Sequence, residues 1–169
     1  VPVWGEIELA YHFDKGTLFA ITGTNGKTTT TALTGQIMKA YNEETYVVGN
    51  IGNPYTTEVS KTTASSYTVA EISSFQLETI HEFKPLVSAV LNITPDHLNR
   101  HHTMECYIKT KEDISMNQTK DQFCVLNYED EVLRDYGLNH CKASVVWFSS
   151  KERPPKGAYV TGDEIHYYD

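Results

Sequence analysis

Short, mostly apolar segments alternate along the chain with segments whose apolar residues recur at helical spacing. The run 86–93 is nearly all apolar, which is typical of a strand covered on both faces. Strands that alternate with helices indicate βαβ units, so the pattern predicts an α/β fold with a mostly parallel sheet flanked by helices. The predicted strands are 17–22, 45–48, 67–70, 86–93, 122–127 and 143–148.

Capping and breaking residues set the expected helix ends. Lys84-Pro85 should end the helix that begins at Phe75. Asn53 is a candidate N-cap with Pro54 at the first helical position. The predicted helices are 4–13, 27 to about 41, one that starts at 54, 75–83, 103–117 and 130–136.

The end of the chain departs from this alternation. The segment 153–157 carries two prolines, and the apolar segments after it flank Gly162-Asp163, a two-residue hairpin signal. We therefore expect a central α/β domain over 17–150 and a small C-terminal β-hairpin over 151–169. The chain also starts at Val1 rather than Met, so we expect a piece of a longer protein.

Composition narrows the possible partners and the compartment. A net charge of −8 and a pI near 5.3 argue against a nucleic-acid partner, which would need clustered Lys and Arg. The sequence shows no transmembrane run and no secretory signal, so we expect no membrane association. Cys106, Cys124 and Cys141 are odd in number and far apart, which predicts reduced thiols and a cytoplasmic location.

A glycine turn separates the first predicted strand from the next helix. A strand, a glycine turn and a helix N-terminus in this order aim backbone N–H groups and the helix dipole at one point, which favours a nucleotide phosphate. Lys27 can reach the terminal phosphates, and the Thr28 hydroxyl is placed to bind Mg²⁺. The loop is short, since Ile21 stands where the usual pattern has its first glycine. The alternative is a turn that only caps the helix, with Lys27 solvated. The segment reads Gly23-Thr24-Asn25-Gly26-Lys27-Thr28-Thr29-Thr30.

Two more polar groups follow strands of the predicted sheet. Glu71 ends the third strand, and His97 follows the fourth. The carboxyl ends of parallel strands share one edge of the sheet, so these groups should lie near Thr28. A hydroxyl, a carboxylate and phosphate oxygens suit Mg²⁺. Taken singly, Glu71 could equally cap its following helix, and His97 could be an ordinary loop histidine.

The helix after His97 holds Tyr107, Lys109 and Lys111. Tyr107 and Lys111 are four residues apart and share a helix face, whereas Lys109 points elsewhere. Local sequence alone predicts a solvated Lys111. The adjacent His101 and His102 are read as a loop pair and not as a metal site.

Together these motifs resemble the Mur ligases, the ATP-dependent amide-forming enzymes of peptidoglycan precursor synthesis, and the match spans most of the chain. That family's ATP loop is short in the same way. The run over 73–79 fits the member that adds D-glutamate to UDP-N-acetylmuramoyl-L-alanine, whereas the loop alone would also fit its sister ligases and folylpolyglutamate synthase. The segments that carry the resemblance are 22–30, 49–52, 71–79, 96–98 and 107–111.

The resemblance implies roles for the site residues. ATP would be bound by Gly23, Thr24, Asn25, Gly26, Lys27, Thr28 and Thr29. Thr28 and Glu71 would hold one Mg²⁺, while His97 and a Lys111 carbamylated by CO₂ would hold a second. The catalytic set would be Lys27, Glu71, His97 and Lys111, and the substrate would lie near Asn50, Ser73 and Gln76.

The resemblance also implies which parts of the enzyme lie outside this chain. The Mur ligase would have an N-terminal domain for uridine diphosphate, reached through a lead-in helix and linker over 1–16, and a C-terminal domain for D-glutamate. Its central domain would continue past 169 with a further helix. We therefore expect little ligase activity from this chain alone, and an exposed apolar face where that helix would pack. The product would feed cell-wall formation and hence cell shape and division.

Two other classes of function share features with this sequence. A nucleotide-binding module without chemistry of its own would share the loop but have no carbamylated lysine. A P-loop kinase or GTPase would use a longer loop, and the guanine-reading Asn-Lys-x-Asp motif is absent from the sequence.

Overall fold

The structure, a computed structural model, describes residues 3–169 and contains one eight-stranded sheet in the order β2-β3-β1-β4-β5-β6-β7-β8. All neighbouring strands are parallel except β7 and β8, which form the predicted hairpin. The predicted α/β class with a mostly parallel sheet is therefore confirmed. The strands are β1 Thr17–Thr22, β2 Thr45–Gly49, β3 Tyr67–Glu71, β4 Val87–Val90, β5 Phe123–Asn127, β6 Ser144–Ser149, β7 Gly157–Thr161 and β8 Glu164–Tyr168.

Helices make the connections between the parallel strands β1 to β6, whereas a loop without a helix joins β6 to β7. The longest, α2, is the segment that follows the glycine turn, and no helix within residues 3–169 is long and apolar enough to cross a membrane. The helices are α1 Glu6–Tyr11, α2 Lys27–Tyr41, α3 Tyr55–Glu58, α4 Ser74–Leu77, α5 Leu98–His101, α6 Met104–Glu112 and α7 Glu131–Asn139.

The register of the three central strands places the site. Ile21 of β1 lies beside Glu71 of β3, and Thr22 of β1 lies beside Val90 of β4. The loops that follow β1, β3 and β4 therefore leave the sheet side by side at its carboxyl edge, the usual location of ligands in such sheets.

One face of the sheet is only partly covered. The helix α2 packs against β1, β2 and β3. On the side of the sheet away from α2, Leu126 and Trp147 are buried in the core. On the α2 side, Val125 and Phe148 remain half-exposed and line an open apolar groove of about 440 Å³ beside Thr34 of α2. The structure therefore has an exposed apolar face of the kind predicted from the sequence.

The lead-in helix is fastened to the domain by a buried carboxylate. Glu8 of α1 is fully buried, and its oxygens accept backbone N–H bonds from His81, Glu82 and Phe83 at 2.7–3.1 Å. These three N–H groups are thereby unavailable to a helix. The expected helix over 75–83 is wrong for this reason, and α4 ends at Leu77.

Other element boundaries also differ from expectation: the helix expected over 4–13 is Glu6–Tyr11, and the one expected over 130–136 is Glu131–Asn139. Pro54 and not Asn53 precedes α3, because the Asn53 side chain instead donates to Glu58 at 3.0 Å. The helix expected over 103–117 ends at Glu112 and continues as a 3₁₀ turn, Asp113–Ser115. The strand expected over 86–93 stops at Val90, since the backbone beyond it bonds to the glycine turn.

Candidate nucleotide and metal site

The glycine turn has the backbone geometry of an anion-binding loop. Gly23 and Gly26 have φ angles of 154° and 81°, and a Cβ atom at Gly23 would lie 3.0 Å from that of Leu91. α2 starts directly after the turn, at Lys27. Among the described residues, the backbone N–H groups of Gly26, Lys27, Thr28 and Thr29 have no acceptor. Four free donors at a helix N-terminus are an arrangement that can bind a phosphate.

Lys27 and Lys111 meet at the same backbone atom. The Lys27 Nζ donates to the carbonyl oxygens of Gly23 at 3.0 Å and Thr24 at 2.9 Å, and the Lys111 Nζ donates to that of Gly23 at 2.8 Å. The two side-chain amines therefore meet at the glycine turn over residues 23–30, which is called the phosphate loop below. Lys27 belongs to this loop, whereas Lys111 belongs to α6. A bound phosphate would relieve the repulsion between them.

Lys111 is buried, so the expectation of a solvated lysine from local sequence is wrong. Its exposed fraction is 1%, and its Nζ lies 4.8 Å from the centre of the Tyr107 ring. Burial, followed by the nearby Lys27 charge, lowers the pKa of Lys111 to about 7. Near pH 7 the Lys111 amine is therefore neutral in a large share of the molecules. Only a neutral amine is a nucleophile.

Glu71 carries a buried oxygen with no partner among the described residues. Its Oε1 accepts a 2.9 Å hydrogen bond from the Asn50 side chain, while Oε2 is buried and unpaired. An unpaired carboxylate oxygen is costly in the interior unless a cation binds it. Its position at the end of β3, beside the phosphate loop, fits a Mg²⁺ that also binds phosphate oxygens.

The residues expected near the substrate divide into two groups. Asn50 lies against Glu71, as just described, and is exposed. Ser73 and Gln76 form a capping box at the start of α4, in which the Gln76 Oε1 accepts from the Ser73 backbone at 2.9 Å. The Ser73 hydroxyl and this Gln76 oxygen are therefore already engaged in holding α4.

His97 sits at the rim of the same edge. Its backbone is left-handed, with φ 52°, and its exposed ring lies 5.1 Å from that of Phe75 in α4 and 3.4 Å from the Asp96 carboxylate. Within residues 3–169, no group of three or more His, Cys, Asp or Glu is arranged to hold a metal ion. Side chains of these four types therefore do not form a metal site by themselves within the described residues.

Two contacts at the loop were not foreseen from the sequence. Asn92 bonds the peptide group of Asn25, and the Tyr107 hydroxyl lies 3.1 Å from the Thr24 hydroxyl. A polar residue at the end of an apolar run was the available signal for Asn92. The expectation that His101 lies in a loop is wrong. His101 is the last residue of α5, is buried, and forms a hydrogen bond with the Ser74 hydroxyl at 3.0 Å.

The sequence is similar to curated bacterial ligases over a limited part of their length. It is 72% identical to a UDP-N-acetylmuramoylalanine–D-glutamate ligase of Lachnospira eligens and 57% identical to that of Lachnoclostridium phytofermentans, in each case over the whole chain. It is 52% identical to that of Clostridioides difficile over 95% of the chain. The chain spans about 37% of the length of these relatives.

Solved structures agree on the fold. The MurF ligase of Thermotoga maritima in complex with ADP superposes with a TM-score of 0.67 at 22% identity, over 90% of this chain and 38% of that one. MurF of Acinetobacter baumannii gives 0.66 at 16% identity, over 91% of this chain and 35% of that one. The model of the Mur ligase middle domain matches residues 21–169, which include the phosphate loop, Glu71 and Lys111. This chain therefore belongs to the Mur ligase family, as its middle domain.

Proposed function

We propose that this chain is the nucleotide- and metal-binding core of an ATP-dependent ligase that joins D-glutamate to UDP-N-acetylmuramoyl-L-alanine. The three curated relatives described above are named as UDP-N-acetylmuramoylalanine–D-glutamate ligases and are 52–72% identical to this chain. The observation that carries the proposal is the buried Lys111 amine on the carbonyl of Gly23, inside the phosphate loop. A simple nucleotide-binding module has no use for a buried, partly neutral lysine at that place.

The phosphate loop would bind ATP with groups that the structure leaves free. The N–H groups of Gly26, Lys27, Thr28 and Thr29 would donate to phosphate oxygens, and Lys27 would exchange its bonds to loop carbonyls for bonds to the β- and γ-phosphates. The remaining loop residues, Gly23, Thr24 and Asn25, shape the turn. Each donor is in place before charge develops, which is the main requirement of phosphoryl transfer.

Two Mg²⁺ sites would flank the phosphates. Thr28 and Glu71 would hold one ion, and His97 with a carbamylated Lys111 would hold the other. When bound, these ions supply neutralisation of the charge on the transferring phosphoryl oxygens. Lys111 would attack the carbon of CO₂ as a neutral amine, so that an N–C bond forms and one C=O π bond opens. The nitrogen would lose a proton to water, which leaves an anionic carbamate as the ligand.

The reaction would proceed by activation of a carboxylate. The alanine carboxylate of the UDP-sugar would attack the γ-phosphorus and displace ADP, which gives an acyl phosphate. The amine of D-glutamate would then attack the acyl carbon, and the tetrahedral intermediate would expel phosphate and lose the amine proton to leave the amide. We place the UDP-sugar near Asn50, Ser73 and Gln76, with Asn50 also orienting Glu71. Uridine diphosphate and D-glutamate would be held mainly by flanking domains of the full-length enzyme, in the cytoplasm, and the product would serve cell-wall synthesis.

Mass spectrometry tests the chemistry most directly. In bicarbonate we expect a gain of ~44 Da, the mass of added CO₂, localised to Lys111. Lys109, two residues earlier on α6, is exposed and paired with Asp113 at 2.6 Å, so it is the internal control that should stay unmodified. Nucleotide binding without this modification at saturating bicarbonate would favour the nucleotide-binding module instead.

Activity supplies a second test. We expect no D-glutamate-dependent release of ADP from this chain alone, because the proposed sites for uridine diphosphate and D-glutamate lie outside it. Ordinary turnover by the 169-residue chain would overturn this part of the proposal.

A further inference from the structure

The tip of the phosphate loop is held from outside by one side chain. Asn92, which follows β4, directs its carboxamide at the peptide groups of Asn25. Its Oδ1 accepts the Asn25 N–H at 2.8 Å, and its Nδ2 donates to the Asn25 carbonyl oxygen at 3.0 Å. The backbone carbonyl of Asn92 also accepts the N–H of Thr24 at 2.9 Å. One residue thus makes three hydrogen bonds to the two residues at the tip.

The Thr24 side chain is tied to the same region. Its hydroxyl oxygen lies 3.1 Å from the backbone N–H of Thr94, 3.2 Å from the Thr94 carbonyl and 3.1 Å from the Tyr107 hydroxyl. A loop with Gly23 and Gly26 at positive φ has much backbone freedom to lose on ordering. These contacts order it without a ligand.

The contacts also divide the N–H groups of the loop into two sets. Those of Thr24 and Asn25 are consumed by Asn92, whereas those of Gly26, Lys27, Thr28 and Thr29 have no acceptor within residues 3–169. The bonds to Asn92 therefore leave only the N–H groups of residues 26–29 free for a ligand. They also fix the Asn25 peptide groups, which directly precede those free N–H groups. A loop that is ordered in advance binds its ligand at lower entropic cost.

We propose that Asn92 is a positioning residue for nucleotide binding. Its carboxamide locks the Asn25 peptide groups, so that the free N–H groups of 26–29 converge before a phosphate arrives. This role rests on the proposed function in so far as the ligand is ATP. The order of the loop itself does not depend on that assignment.

The substitution Asn92→Leu tests the role, because leucine has nearly the same size and shape but makes no hydrogen bond. Asn127→Leu is the matched control. Asn127 lies at the end of the neighbouring strand β5, donates to the Leu91 carbonyl at 3.1 Å and accepts from the Glu129 N–H at 3.0 Å, but has no hydrogen bond to the loop. Asn92→Ser is a second variant that keeps a polar group but cannot reach Asn25, in case the leucine variant does not fold.

Two measurements separate local order from nucleotide binding. Hydrogen exchange without nucleotide should show the Asn25 amide exchanging about tenfold faster or more in N92L, and as in wild type in N127L. Titration with Mg²⁺ and a non-hydrolysable ATP analogue should show an affinity weaker by about tenfold or more in N92L alone. Thermal unfolding of each variant establishes that it is folded.

Each outcome decides a separate point. Folded N92L or N92S with unchanged Asn25 exchange or unchanged affinity overturns the inference. Equal loss of affinity in N92L and N127L also overturns it, since the effect would then be general. Wild-type chain that binds no nucleotide overturns the proposed function and the nucleotide role of Asn92 with it, whereas wild-type binding that N92L leaves intact overturns the inference alone.

Discussion

Lys27 and Lys111 donate hydrogen bonds to the same carbonyl oxygen, that of Gly23, at 3.0 and 2.8 Å. The first lysine is four positions from Gly23 and the second is 88 positions away. Lys27 is therefore placed by the turn of the loop itself, and Lys111 only by the tertiary fold that brings α6 to the loop. Two like charges at one acceptor are unfavourable, and the pKa of the buried Lys111 falls to about 7 as a result of burial first and of Lys27 second.

The pKa of Lys111 predicts a pH-dependent stability. The folded value of about 7 lies below the unfolded value of about 10.4, so between these limits the unfolded chain binds more protons and stability rises with pH. We expect Lys111→Met to be more stable than wild type below pH 7 and this gap to narrow toward pH 10. Thermal unfolding in CO₂-free buffers from pH 6 to 10 measures it. Lys109→Met, on the exposed side of α6, is the control, and its stability should follow the pH dependence of wild type. A K111M stability profile that also follows wild type would contradict the prediction.

We expect the Glu71 carboxylate to destabilise the metal-free chain and to support Mg²⁺ binding. Glu71→Gln removes a buried charge whose Oε2 has no partner among the described residues, so the metal-free chain should be at least as stable as wild type. The Mg²⁺-dependent affinity for an ATP analogue should fall by about tenfold or more because an anionic ligand is lost. Unfolding scans without metal and titrations with Mg²⁺ check both parts.

Glu58→Gln is the control for the effects of Glu71→Gln on stability and nucleotide affinity. Glu58 is also a buried carboxylate, but its two oxygens are paired with Asn53 at 3.0 Å and Lys61 at 2.7 Å. We expect this variant to lose stability and keep its nucleotide affinity. If stability and nucleotide affinity change in the same direction in both variants, the unpaired oxygen of Glu71 is not a metal ligand.

Glu8 should make stability sensitive to acid. Although burial opposes it, the three backbone N–H bonds from 81–83 and the nearby His12 hold the pKa of Glu8 below its usual value. Its contribution is thus complete above pH 4.5 or so and is lost as pH falls through the lowered pKa. We expect Glu8→Gln to cost about 2–4 kcal/mol at pH 7, since an amide group would face an N–H donor. Denaturant unfolding at pH 7 and at pH 3 should show a smaller loss at pH 3, and an equal loss would rule out a charge effect.

The open apolar face should make this chain self-associate. Thr30 and Thr34 of α2 line the apolar groove, and Leu33 and Ile37 on the same helix are 56% and 60% exposed. We expect concentration-dependent association in light scattering, reduced by the pair Leu33→Lys and Ile37→Lys. Leu138→Lys on α7, which is 59% exposed away from the groove, should leave association unchanged. A monodisperse monomer at high concentration would contradict the prediction.

Local patterns predicted most of the strands because their signal is local. Thr17–Thr22 and the start of α2 at the glycine turn were predicted closely, since a short apolar run and a turn glycine are read within a few residues. The helix expected over 75–83 failed because a carboxylate from α1 takes the backbone N–H groups that such a helix would use. No local pattern contains that partner.

The sequence by itself determined the α/β class and the glycine turn between β1 and α2, and its resemblance to Mur ligases supplied the proposed residues of the site. These follow from spacing and residue type, which are properties of adjacent positions. Only the tertiary structure decided that Lys111 is buried on Gly23, that one oxygen of Glu71 is unpaired, and that Asn92 holds the loop tip. Burial and pairing depend on which distant segments the sheet brings to one edge, and a group's charge state follows from them and not from its neighbours in the chain.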